Sequence, residues 1–98
     1  MSTDIGLKLI EKHPSHVPVI FICSEGIHLS RSKYIINRLS SFSDLLCSVR
    51  SHISLEKHEA IFCFVNKHLC PNSALMGDLY EQHFNQDDHI LYITIVKE

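Results

Sequence analysis

Four residues able to bind zinc or act as a nucleophile and its base crowd into one stretch of the sequence: His58, Cys63, His68 and Cys70. Zinc favours nitrogen and sulfur ligands, and a cysteine beside a histidine can be activated for covalent catalysis. The intervals between them are four, four and one residues, unlike the short paired loops of zinc fingers. Cys63 also lies within the apolar run 60–65, where a free cysteine behaves as a small hydrophobe. No third orienting group or oxyanion donor stands beside the pair. No metal, cofactor or catalytic residue is therefore expected, and the chain reads as a binding module rather than an enzyme. Asp87 and Asp88 read as a solvated loop.

The run Lys33, Tyr34, Ile35, Ile36 suits a different chemistry. A strand at a sheet edge leaves N–H and C=O groups free, and an extended peptide can pair with them. Apolar dents on the two sides of such a strand would take alternate side chains of the peptide. Natural edges are commonly protected, so the pattern alone also fits a hairpin strand covered by its own chain. Phe62 and Phe64 alternate with Ile61, Cys63 and Val65, which places the two sets on opposite strand faces. One set must face the core; the other is covered by a helix or forms a second docking patch.

The elements that position these residues can be read from apolar spacing. Ile5, Leu9 and Ile10 follow the possible N-caps Thr3 and Asp4 at helical intervals, and the helix should stop before His13-Pro14. Residues 17–23 form a β-branched strand with Pro18 near its start, where a missing N–H does least harm. Residues 33–36 make a second strand, and Ser40 or Ser41 opens a helix carrying Leu45, Leu46 and Val49. A third strand spans 60–65, a turn Asn66-Lys67, and a brief fourth strand 68–70 ends at Pro71. Ser73 should cap a helix over 74–82. Residues 90–96 close the chain as a strand so apolar that it should be central, buried on both faces and parallel-paired. The order helix-β-β-α-β-β-α-β implies a mixed sheet around one helix, the α+β β-grasp arrangement, with an extra helix in front.

Ninety-eight residues suit one domain with one core and a surface groove. The formal net charge of −2 argues against a nucleic-acid partner. The charges are uneven: residues 1–58 hold seven Lys/Arg and five Asp/Glu, residues 59–98 two and six. Such polarity can steer a partner of mixed charge. No apolar run approaches the roughly 20 residues of a membrane span, and the first residues lack the form of a signal peptide. Cys23, Cys47, Cys63 and Cys70 show no CxxC pair, as expected of a reduced, cytoplasmic, monomeric protein.

The strings HPSHVPVI (13–20), SKYII (32–36), AIFCFVNKHLCPNSALMGDLYEQH (60–83) and ILYIT (90–94) resemble the autophagy-related protein 8 family. Its animal members are the GABA-receptor-associated proteins and the microtubule-associated light chains. The resemblance implies one ubiquitin-like domain over 1–98, with a helical extension at 1–13 and the β-grasp core at 17–96. It further implies binding of aromatic-x-x-aliphatic motifs in cargo receptors and autophagy factors, and work at the autophagosome membrane. A first pocket would be lined by Leu9, Pro18, Ile20, Lys33, Ile35 and Ile90, a second by Tyr34, Ile36, Leu45 and Ser48. Arg50 matches a basic residue of the central helix.

The departures from the family pattern are specific. Family members are joined through a C-terminal glycine to phosphatidylethanolamine, whereas the glycines here are Gly6, Gly26 and Gly77. Lipid attachment and its conjugating enzymes are expected only if the natural chain runs on to a glycine tail. Otherwise the expectation is an unconjugated interaction scaffold or competitor. One N-terminal helix stands where the family has two. Asn37, Ser40 and Ser48 replace Pro, Leu and Leu in the second pocket, and each buried aliphatic side chain is worth about 1.5–3 kcal/mol. His13 replaces a tyrosine, and His16 and His52 replace basic residues, which lowers the positive field at neutral pH. A motif peptide should therefore bind weakly and with an affinity that differs between about pH 6 and about pH 8. Equal affinity at both removes the histidine argument.

Overall fold

The computed structural model of the chain describes residues 5–24, 27–54 and 61–97. The elements in order are α1 (Ile5–Lys12), β1 (His16–Cys23), β2 (His28–Leu29), β3 (Lys33–Asn37) and α2 (Phe42–Arg50). Then come β4 (Ile53–Ser54), β5 (Ile61–Val65), β6 (His68–Leu69), α3 (Met76–His83) and β7 (Leu91–Lys97). Thr3, Asp4, Gly26, His58 and Ala60 lie outside the described residues.

The main sheet has the order β3-β1-β7-β5-β6. β7 is central, parallel to β1 and antiparallel to β5, which gives the expected mixed α+β sheet. Strand alternation divides its side chains cleanly. Val17, Val19, Phe21, Tyr34, Cys63, Val65, Leu91, Ile93 and Ile95 face a core completed by α2 (Phe42, Leu45, Val49) and α3 (Met76, Leu79, Tyr80). Tyr92, Thr94 and Val96 point the other way and are only half-buried. β7 is thus sealed on one face, not on both as expected. α1 packs on β1, and among the described residues no helix covers the β5 side of that outer face.

Pro18 is tolerated inside a central strand for a reason of ladder phase. Phe21 N–H donates to Ser32 O and Arg38 N–H to Ser15 O, so the odd-numbered residues of β1 bond β3 and the even-numbered ones turn towards β7. Pairing with β7 starts only at Val19–Leu91. The missing N–H of Pro18 therefore interrupts no ladder bond. Two small strands escaped the sequence pattern: β2 and β4 pair antiparallel over two residues each, too short to show any periodicity. The Asn66-Lys67 turn takes φ of 48° and 70°, the paired left-handed conformation of a two-residue hairpin.

The helix starts are held differently from each other. Ser41 caps α2 in a capping box, its hydroxyl accepting from Asp44 N–H at 3.2 Å while Asp44 Oδ2 accepts from Ser41 N–H at 3.2 Å. Ser73 does not cap α3, which begins two residues later than expected with Leu75 at the N-cap and no side-chain bond. Instead the two helix starts satisfy each other through backbone. Phe42 and Ser43 N–H donate to Ala74 O and Asn72 O, and Met76 and Gly77 N–H donate to Ser40 O and Arg38 O. Orphan donors at both helix starts are met without side-chain caps at α3. A Cβ on Gly77 would lie 2.9 Å from Arg38 Cβ and 3.1 Å from Arg38 O, neither of which can swing away. Alanine's helix propensity is worth up to about 1 kcal/mol, but overpacking costs about 1–3 kcal/mol. Gly77→Ala should therefore lower the urea midpoint; an unchanged or raised midpoint would show that the contact can relax.

Candidate peptide-binding groove

The floor of a cavity of about 640 Å³ is built by β1, where Pro18 and Ile20 stand on the outer face. Lys33 and Ile35 of β3 form one bank, Ile90 and Tyr92 the other, and Leu9 of α1 closes one side. Strand alternation brings the bank residues together: Pro18 pairs with Ile35, Ile20 with Lys33, and Ile20 with Tyr92. The cavity is thus a property of three adjacent strands and one covering helix. Its bank on β3 is also the end of the sheet. By the ladder phase above, Tyr34 and Ile36 spend their main-chain groups on β1, whereas Lys33 and Ile35 turn theirs outward. Lys33 O receives only a 3.4 Å contact from Arg31 Nε.

The far bank is rigidly made. Asn85 Oδ1 accepts from Asp87 N–H at 2.8 Å, and Asn85 N–H donates to Ile90 O at 2.9 Å. Asp88 Oδ1 accepts from Ile90 N–H at 3.1 Å, and its Oδ2 accepts from the Tyr92 hydroxyl. The Asp88 carboxylate holds that phenol protonated, and with burial it pushes the Tyr92 pKa up to about 12. Tyr80 hydroxyl donates to His89 O at 2.7 Å, tying the loop to α3. On the near bank the Arg31 guanidinium lies 5.4 Å from the Tyr34 ring centre. Burial raises the Tyr34 phenol, and Arg31 pulls it back.

Leu9, Pro18, Ile20, Lys33, Ile35 and Ile90, named from the sequence as one pocket, all border this one cavity. The second pocket is different. Leu45 is 1% exposed inside the core, because α2 lies against the very face on which Tyr34 and Ile36 project. Tyr34 is buried too, and Ile36 is half-buried. Arg50 is exposed at the end of α2 and does not border the cavity. Tyr34, named for the second pocket, borders this cavity as well, and Val19, Arg31, Asp87, Asp88 and Tyr92 line it without having been expected. Two of these were legible: Arg31 and Tyr92 stand two residues from Lys33 and Ile90, the interval at which extended chain returns a side chain to the same side. Asp87 and Asp88, expected in a solvated loop, border the cavity through turn geometry that spacing does not reveal.

Phe62 is 40% exposed on the outer face of β5, paired across to Val96, and Phe64 beside it is half-buried. Ile22 and Leu69, exposed by 49% and 57%, extend the same face. The cysteine and histidine group is dispersed: Cys63 faces the core, Cys70 is half-buried, and His68 is exposed.

A model of the family described as "Autophagy protein Atg8 ubiquitin like" matches residues 3–98. The chain belongs to the Atg8 family. It is 33% identical over 92 residues to autophagy-related protein 8 of Schizosaccharomyces pombe, covering 89% of this chain and 74% of that one. The crystal structure of Trypanosoma brucei ATG8 superposes with a TM-score of 0.82 at 27% identity, over 95% of this chain and 82% of that chain. The fold is therefore the ubiquitin-like one, and the protein is an autophagy ubiquitin-like protein. Atg8-family proteins interact with autophagy factors and membrane lipids. No helix among the described residues is long and apolar enough to cross a membrane.

The thiols of this Atg8-family chain differ sharply in accessibility. Burial pushes Cys63 up to about 11, and burial together with the neighbouring Cys63 pushes Cys70 up to about 12. Since the thiolate is the reactive form, N-ethylmaleimide at about pH 8 should modify exposed Cys47 first and leave Cys63 and Cys70 intact until the chain is unfolded. Mass spectrometry of native-state digests reads this directly, and early labelling of Cys63 contradicts it.

Proposed function

We propose that this Atg8-family protein is a non-enzymatic adaptor. It binds short aromatic-x-x-aliphatic segments of cargo receptors and autophagy factors by adding them as a strand to the free edge of β3. One observation carries the proposal: the apolar cavity of about 640 Å³ opens beside the one stretch of β3 whose main-chain groups point away from the sheet. The backbone gives affinity without regard to sequence, and the cavity selects the side chain. An aromatic residue, which can bury about 150–250 Å², suits a trough walled by Leu9, Pro18, Ile20, Ile35 and Ile90. Three residues of separation put the aromatic and aliphatic side chains on opposite faces of the peptide strand. The aliphatic one then meets the Ile36 side of β3, where Leu45 is already sealed in the core and little room is left. Lys33 and Arg31 on one bank, with Arg50 further off, favour acidic flanks and raise the association rate.

The exposed Phe62, with Phe64, Ile22 and Leu69, belongs to the same proposal as a second apolar docking patch. Tethering to phosphatidylethanolamine at the autophagosome membrane belongs to a form of the chain that carries a C-terminal glycine; a form without one serves as a soluble scaffold or competitor in the cytoplasm.

Fluorescence anisotropy with a labelled Trp-x-x-Leu peptide tests the groove. Ile35→Asp should weaken binding about tenfold or more, and Lys33→Ala should weaken it less. Leu39→Asp, at an exposed residue outside the cavity, should leave affinity unchanged. Circular dichroism establishes that each variant is folded. Binding that is indifferent to both Lys33→Ala and Ile35→Asp removes the groove assignment.

A further inference from the structure

The cavity carries charges of both signs that do not meet. Arg31 and Lys33 line its β3 bank; Asp87 and Asp88 line the bank leading into β7. β1 lies between them, so the banks are about two strand spacings apart, roughly 10 Å. Among the described residues none of the four joins a salt bridge. Asp88 is fixed by Tyr92 and by the Ile90 N–H. The Asp87 backbone is fixed through Asn85, while its exposed carboxylate has no partner among the described residues. A preformed pair of carboxylates at the rim of an apolar trough lowers the potential on that side. It disfavours a ligand that is acidic throughout, and it suits one with a cation placed there.

Resting on the groove proposed above, we infer that its ligand carries a lysine or arginine two residues from the aromatic anchor, drawn towards Asp87 and Asp88. This cation comes in addition to the acidic residues met by Arg31 and Lys33. The spacing follows from strand geometry: side chains two residues apart share a face, so only positions two before or two after the anchor project over the same trough. The long chain follows from the breadth of the trough, since the carboxylates stand on the bank farther from the peptide backbone. Lysine and arginine can lay their methylenes over Pro18 and Ile20 and turn the charged head towards the far rim, where the two carboxylates attract it across the trough. Asp87 is thus a specificity-determining residue, and the preferred motif is one of mixed charge.

The test uses the 98-residue chain and labelled peptides that share one aromatic-x-x-aliphatic core. They carry lysine, alanine or glutamate at the position two before or two after the aromatic residue. At low salt the better lysine peptide should bind about three- to tenfold more tightly than its glutamate counterpart, and the gap should close in high salt. Asp87→Lys, a change at an exposed side chain, should reverse the preference. The inference is overturned by glutamate peptides that bind as well as lysine peptides at both positions, or by a lysine preference that Asp87→Lys leaves intact. Binding that is blind to the flanks removes this inference and leaves the groove standing. If no peptide of the set binds, the groove and the inference fall together.

Discussion

The parallel pairing of β7 with β1 is the contact on which the other features rest. It joins residues 19–23 to residues 91–95, and closing a loop that long costs entropy before any burial compensates. The compensation comes from three fully buried side chains of β7, Leu91, Ile93 and Ile95, each worth about 1.5–3 kcal/mol. The same pairing fixes the site. β1 becomes a floor only because β7 lies beside it, and the loop 85–90 becomes a bank only because it must deliver the chain to Leu91. A slip of one residue would turn Ile93 outward and Tyr92 inward. Core and groove are therefore specified by one register.

Placing β7 in the centre also decides which edges remain. The sheet ends in β3 on one side and in the two-residue β6 on the other. β6 is a short edge, closed by a left-handed turn at Asn66 and Lys67, and offers little length to a pairing strand. β3 is five residues long and straight beside the cavity, with Lys33 and Ile35 directing their main-chain groups outward. The difference between these two edges separates a long, open edge from a short, blunt one.

Much of this was legible in the sequence, and what was missed has physical causes. Alternation along 17–23 and 90–96 gave the strands, while the resemblance to Atg8 relatives named Leu9, Pro18, Ile20, Lys33, Ile35 and Ile90 together, and they border one cavity. Leu45, named for the second pocket by the resemblance, is turned fully inward by α2; helical spacing gives a stripe but not the rotation of that stripe against a sheet. The start of α3 was misplaced because Ser73 has the right chemistry for a cap, yet the donors of Met76 and Gly77 are taken by Ser40 O and Arg38 O, 36 and 39 residues earlier in the chain. Such long-range capping leaves no local trace. Asp87 and Asp88 show another limit: Asp87 is exposed, as a run of polar residues suggests, but spacing does not tell that Asn85 folds the loop to the rim of the trough.

In the proposed binding mode, the closed second side of β3 changes how affinity is distributed. With Leu45 and Tyr34 committed to the core, a ligand gains little from an aliphatic residue there. Binding in that mode would rest on the aromatic side chain in the trough and on a few backbone hydrogen bonds, each contributing a net of about 0.5–1.5 kcal/mol. Ordering a flexible peptide offsets much of that sum. Under those terms modest charge contacts at the rim become a large share of the net affinity. Discrimination among otherwise similar motifs falls to residues at the margin of the pocket, because every ligand with the right aromatic residue satisfies its apolar walls equally.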